Sequence, residues 1–282
     1  MGTRFLKALF KKNSRFFPNM ARLGAKAMGG KMTPLILVTN DDGVRAPGLA
    51  ILAQALQGIG QTVIVAPDQD NSAASHSLTM KRPLRVKDLG QNRYSVDGTP
   101  TDCVTLAMGK ILERKPQLVV SGINPGPNLG DDVSYSGTVS AAVEGTMLGV
   151  PSLAISLAGE EPFCFETAAA FAVKLARTIL DKGLPKDTLL NVNVPNRRPE
   201  EIEGVRFTRQ GRRVYDGAIK ETFDPWGRQH YWIGGGIPFW DEGEDTDAQA
   251  ILAGYVSITP LHLDLTNHAA LRKLGAEWPL SI

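Results

Sequence analysis

From Leu35 onward, short unbroken apolar runs alternate with segments of helical spacing, and this rhythm constrains the fold more than any other feature of the chain. The runs at residues 35–39, 62–66, 117–121, 152–156 and 189–194 do not alternate polar with apolar, so each reads as a strand buried on both faces. Residues 48–57, 100–112, 138–148 and 166–180 read as the helices between them. Strand and helix in that order imply parallel strands joined by crossovers, hence an α/β fold with a doubly wound, mainly parallel sheet. Local signals agree. Thr99, Pro100 and Asp102 supply an N-cap, a proline for the first helical position and a capping-box acid. Residues 84–96, with Gly90-Gln91 at the centre, read as a hairpin. Past Val205 the rhythm stops, and a stretch rich in Gly, Arg and aromatics reads as a smaller antiparallel carboxyl-terminal appendage. The division expected is a basic leader at 1–33, a wound body at 34–204, the appendage at 205–253 and a closing strand and helix at 254–282.

Several classes of protein are excluded. With 282 residues, 43% apolar and 21% charged, the chain has the makings of a substantial core and is neither fibrous nor disordered overall. No apolar run approaches the length of a membrane span, so no membrane association is expected. Eight of the 31 basic side chains, and no acid, fall in residues 1–31, which leaves 23 basic against 29 acidic groups, a net −6, for the rest. A body of that sign does not suit a nucleic-acid polymer as main ligand. The leader reads as a disordered extension or a start placed ahead of Met32, with an organelle transit peptide as the alternative; it has no apolar segment suited to a secretory signal. Cys103 and Cys164 make no disulfide framework or metal pattern, which suits a reducing, cytoplasmic setting.

In an open parallel sheet, ligands bind beyond the carboxyl ends of the strands. The loops there are Asn40-Asp41-Asp42-Gly43, Asp68-Gln69-Asp70-Asn71-Ser72, and Gly122 through Asn128, all crowded with hard oxygen groups. Adjacent carboxylates repel unless a cation neutralises them, so Asp41 and Asp42 suggest a metal; the plainer alternative is that one of them caps the next turn. Oxygen donors without Cys or paired His suit Mg2+ or Mn2+. The third loop leads into Ser136, Gly137 and Thr138 at a helix start, where backbone N–H groups and the helix dipole favour an anion. With Asn40 and Asn128, these are the candidate phosphate and substrate contacts, the alternative being an ordinary Gly-rich loop. No Walker loop and no G-x-G-x-x-G opens a helix, so a dinucleotide cofactor is not expected. His76 is a candidate proton donor or a residue of no special role, and Cys103 reads as core.

Together these segments resemble a known family. Residues 36–48, Ile36-Leu37-Val38-Thr39-Asn40-Asp41-Asp42-Gly43-Val44-Arg45-Ala46-Pro47-Gly48, are similar to the amino-terminal signature of the SurE nucleotidases. The stretches Val65-Ala66-Pro67-Asp68, Gly98-Thr99-Pro100-Thr101-Asp102, Ser121-Gly122-Ile123-Asn124, Ser136-Gly137-Thr138-Val139, Asn191-Val192-Asn193-Val194-Pro195 and Gly254-Tyr255-Val256-Ser257-Ile258-Thr259-Pro260-Leu261 extend the likeness to about Leu274. The resemblance implies a Rossmann-like body, one divalent cation per subunit held by Asp41, Asp42, Ser72 and Asn124, and removal of phosphate from nucleoside monophosphates, 5′ first and 3′ as a second substrate class. It also implies a homodimer or homotetramer assembled through the appendage. Asn71 and Ala73 depart from the residues common beside the serine. Trp226, Tyr231, Trp232, Phe239 and Trp240 are the expected association surface, a small satellite core being the alternative. The expected mechanism is in-line attack by water that the cation acidifies, with Asp41 or Asp42 taking the proton and no phosphoenzyme. An aspartyl-phosphate enzyme using Asp41 is the runner-up, although it wants an acid where Gly43 stands. A non-catalytic nucleotide-binding module is the alternative from another class.

Overall fold

The computed structural model describes residues 32–216, 219–233, 237–240, 243–278 and 280; the basic leader, residues 1–31, lies outside them. The body begins with β1 (Leu35–Thr39), α1 (Pro47–Leu56) and β2 (Gln61–Pro67), followed by the hairpin β3 (Val86–Asp88) and β4 (Arg93–Val96). It continues through α2 (Pro100–Leu106), β5 (Leu118–Pro125), α3 (Gly137–Met147), β6 (Ser152–Ala158), α4 (Phe165–Lys182) and β7 (Thr188–Pro195). Beyond it come β8 (Gly204–Phe207), α5 (Asp247–Leu252), β13 (Tyr255–His262) and α6 (His268–Glu277). One nine-stranded sheet runs in the order β3-β4-β2-β1-β5-β6-β7-β13-β8. The six strands from β4 to β7 are mutually parallel, and β3 and β13 each run antiparallel to their inner neighbours. β8 and β13 thus extend the main sheet past the point where the strand–helix rhythm of the sequence ends.

The apolar runs are unbroken because helices cover both faces. Ile36 and Val38 of β1 point into one layer with Leu49, Leu52 and Leu56 of α1 and Ala172 and Ala176 of α4. Leu35 and Leu37 point into the other with Cys103 and Val104 of α2 and Ala141 of α3. At α2 the capping box forms: Asp102 N–H donates to Thr99 Oγ1 at 3.1 Å, and Thr99 N–H donates to Asp102 Oδ2 at 2.9 Å. The helix expected over 100–112 divides in two, since its second half, Ala107–Ile111, winds more widely as a π turn.

The chain moves from β1 outward to β2 and β4, then returns to place β5 on the other side of β1. The switch in strand order therefore lies between β1 and β5, and a crevice at their carboxyl ends is the place for a ligand in such a sheet. The appendage consists of two antiparallel pairs, β9 (Arg213–Asp216) with β12 (Ile237–Trp240), and β10 (Ile219–Phe223) with β11 (Gln229–Ile233). Arg213 holds its start to the loop before α3: its N–H donates to Asp131 Oδ2 at 2.9 Å, and its guanidinium pairs with Asp132. No helix among the described residues is long and apolar enough to cross a membrane.

Candidate active site

Asp41 and Asp42 follow β1 directly, at the switch point. Asp41 is buried, and its Oδ1 accepts a hydrogen bond from the Thr138 hydroxyl at the start of α3. Gly137 lies against the same carboxylate: a Cβ there would stand 2.7 Å from Asp41 Cβ and 2.9 Å from its Oδ2, so only glycine admits this approach. Asp42 is less enclosed. Asn40, fully buried, donates through Nδ2 to Gly43 O at 3.1 Å and weakly to Asp42 Oδ2 at 3.4 Å, while its Oδ1 is buried with no partner. The second loop is tied to the first, because Asn71 N–H donates to Asp41 O at 2.8 Å. In that loop Asp70 Oδ1 accepts from both the N–H and the hydroxyl of Ser72, at 2.7 and 2.6 Å, which orients the serine oxygen.

Asn124 reaches the same edge by a different device. Gly122 pairs with Ile155 and Asn124 with Ser156, so Ile123 is an extra residue and β5 bulges there. Bulges re-aim side chains beside active sites. The Asn124 amide is then oriented by donation from Nδ2 to Gly126 O at 2.8 Å, which leaves Oδ1 as its acceptor.

The electrostatics match a cation site. Burial pushes the Asp41 carboxyl up from its ordinary range, with the Thr138 hydrogen bond opposing it. Asp42 is pushed up to about 7 by burial, with the charges of Asp41 and Asp70 adding to it. Asp41 and Asp42, adjacent and each with a raised pKa, keep their charge most readily beside a cation. Among the described residues no group of three or more His, Cys, Asp or Glu is gathered to hold a metal, so the set to weigh is the mixed one of carboxylate, hydroxyl and amide oxygens. Such donors, with the orphaned buried Asn40 Oδ1 among them, fit a hard divalent ion and not a thiolate or imidazole metal.

The residues grouped as a phosphate seat are used unequally. Ser136 Oγ caps α3, accepting from Val139 N–H at 3.1 Å, and the Thr138 hydroxyl is turned to Asp41. Asn128 faces inward. Its Nδ2 donates to Ser156 Oγ at 2.7 Å, its N–H to Asn193 Oδ1 at 2.8 Å, and its carbonyl accepts from Asn191 and Asn193 at 2.8 and 2.9 Å. That network was open to sequence reasoning, because two asparagines at alternate positions of a buried strand share a face and need partners. Asp70 was among the oxygen groups of the second loop, but its hold on Ser72 was not read from the sequence, and Thr138 as the partner of Asp41 carried no local signal. His76 Nε2 lies 3.0 Å from Glu144 Oε2, and Glu144 Oε1 accepts from the Thr105 hydroxyl at 2.9 Å. Cys103 is core, its thiol pushed well up by burial.

A doubly wound sheet whose oxygen-rich loops converge at the switch point defines a Rossmann-like α/β protein, and the carboxyl edge of its strands is the candidate ligand site. Residues 36–217 match the family model described as Survival protein SurE, and the chain belongs to that family. The protein named 5'-nucleotidase SurE from Geobacter sulfurreducens is 53% identical over 247 residues, covering 87% of this chain and 94% of its own length. Its namesake from Aquifex aeolicus is 49% identical over 243 residues, covering 86% and 97%. The crystal structure of the Sure protein from Aquifex aeolicus superposes with a TM-score of 0.79 at 48% identity, covering 86% of this chain and 99% of that one.

Proposed function

We propose that this chain is a phosphoric monoester hydrolase, a 5′-nucleotidase that releases phosphate from nucleoside monophosphates. The observation that carries the reading is the adjacent pair at the switch point, Asp41 buried and Asp42 half-buried, with Thr138 and Gly137 of α3 against the first carboxylate. The names of relatives about half identical over most of the chain support it. Asp41, Asp42, Ser72 and Asn124 are the residues that would hold one divalent cation, Mg2+ or Mn2+. When bound, that ion supplies charge neutralisation for the phosphoryl oxygens and a lowered pKa for water.

The chain's own groups do the positioning. Thr138 holds Asp41 in one rotamer, Asp70 holds Ser72, and the bond from Asn124 to Gly126 holds the Asn124 amide. Asp42, the less tethered carboxylate, accepts the proton of the attacking water. The start of α3, with Ser136, Gly137 and Thr138, favours the anionic group electrostatically, whereas Asn40 and Asn128 spend their amide N–H groups on Gly43 and Ser156 and order the loops behind it. Residues 205–253 assemble a homodimer or homotetramer, and the protein works in the cytoplasm.

Phosphate release from adenosine monophosphate, measured with Mn2+ and again with EDTA, tests the reading. Activity is expected with the ion and lost with the chelator. Asp41→Asn and Asp42→Asn are each expected to lower turnover at least a hundredfold while the melting transition stays cooperative. Near-normal turnover in either variant at limiting Mn2+ would remove that carboxylate from the site.

A further inference from the structure

Beside the acidic pair lies a cavity of about 430 Å3, within the usual size of a small-molecule site, with Asp42, Ile123, Pro125, Pro162 and Phe163 in its wall together with the exposed Glu161. The two carboxylates face different ways. Asp41 is turned to α3, whereas Asp42 borders this cavity between the starts of α1 and α4, the helices of the opposite layer. A larger cavity of about 960 Å3 lies between α3 and β13, but neither Asp41 nor Asp42 lines it.

The wall that carries Phe163 is pinned. Asn196 donates through Nδ2 to Glu160 O at 2.7 Å and Pro162 O at 2.9 Å, and its Oδ1 accepts from Cys164 N–H at 2.8 Å. Phe163 packs at 5.6 Å between ring centroids on Phe165, itself part of the core, and remains half-buried. A ring placed in this way needs no ordering when a ligand arrives.

We infer that this cavity receives the nucleobase of the nucleoside monophosphate, with Phe163 as its stacking wall, which rests on the phosphohydrolase reading above. A phosphate held at Asp41 and Asp42 leaves the remainder of the substrate to be seated, and this cavity opens directly from Asp42. Its three prolines, Pro47, Pro125 and Pro162, and its phenylalanines, Phe163 and Phe165, suit a planar heterocycle better than a bare sugar. Glu161 is acceptor-only when ionised, so a base edge that meets it presents an N–H group.

The test compares phosphate release from adenosine monophosphate and from ribose 5-phosphate, which lacks a base, with Mn2+ present. The unaltered enzyme is expected to show a KM for adenosine monophosphate at least tenfold below that for ribose 5-phosphate. Phe163→Ala, and Phe163→Leu, which keeps apolar bulk against Phe165, are expected to raise the first KM on the order of tenfold and leave the second in place. Equal KM values for the two substrates in the unaltered enzyme, or an unchanged KM for adenosine monophosphate in Phe163→Leu, would overturn the base seat while leaving the hydrolase reading intact. Release from neither substrate would overturn the hydrolase reading itself.

Discussion

At the scale of single residues, the site is a place where burial and like charge oppose ionisation, and Asp42 shows the consequence most directly. Its carboxyl is raised from 3.8 to about 7. The folded protein therefore binds that proton more tightly than the unfolded chain, and the contribution of Asp42 to stability is complete below about pH 4 and lost as pH rises toward 7. In EDTA at pH 8, Asp42→Asn is expected to melt a few degrees above the unaltered protein, with the gap closing toward pH 5. Mn2+ at pH 8 is expected to reverse the order, because the ion stabilises only the form that binds it. Thermal denaturation by circular dichroism reads both effects. A variant that melts below the unaltered protein in EDTA at pH 8 would mean that Asp42 has a compensating partner stronger than its weak bond from Asn40.

At the scale of elements, the loops that carry the chemistry are held by the ends of secondary structure. The α2 capping box does two tasks. Besides closing the helix start, Thr99 Oγ1 donates to Ser77 O at 2.7 Å, and Asp102 Oδ1 accepts from Thr79 N–H at 2.9 Å. The polar segment after β2, which includes Ser72, is thereby fastened to α2. Thr99→Ala is expected to cost about 1 kcal/mol, as N-cap losses do. Asp102→Ala removes an acceptor that serves both Thr99 and Thr79 and is expected to cost about 2–3 kcal/mol. Urea denaturation measures both. Equal losses would show that the bond to Thr79 adds no more than the bond from Thr99 to Ser77. The bulge in β5 belongs to this scale too, since one extra residue at Ile123 re-aims Asn124 at the strand end.

At the scale of the whole molecule, the appendage does not cover itself. In the β10–β11 hairpin, Trp226 is 78% exposed, Trp232 67% and Ile233 89%, and a two-stranded hairpin with such a surface is marginal when isolated in water. Phe239 and Trp240, also expected at this surface, have side chains outside the described residues. A second copy of the chain is the cover we propose. Sedimentation at micromolar concentration is expected to give a dimer or tetramer, and Trp232→Glu with Ile233→Glu to weaken association more than tenfold. A monomer in the unaltered protein would refute this. The appendage is also fastened to the body near the site. Fully buried Asp247 accepts from Gly130 N–H at 2.9 Å and from Gly211 N–H at 2.9 Å, joining the loop before α3 to the chain that leads into β9.

The sequence by itself determined what local physics controls. Unbroken apolar runs specify strands buried on both faces, and β1 was legible to the residue as 35–39. A proline and capping acid specify where α2 begins, Gly90 marks the β3–β4 turn, and adjacent carboxylates after a strand announce their own electrostatic problem. The wider winding after Leu106 was not legible, because residues 100–112 keep one apolar face throughout. Nor was the membership of β8 and β13 in the main sheet, since pairing partners distant in sequence leave no local trace. Only the tertiary structure brought Thr138 to Asp41 across 97 positions, turned Asn128 inward to Ser156 and set Phe163 beside Asp42. Strand order decides such neighbours. Crossover connections place β5 beside β1, although β2, β3 and β4 intervene along the chain.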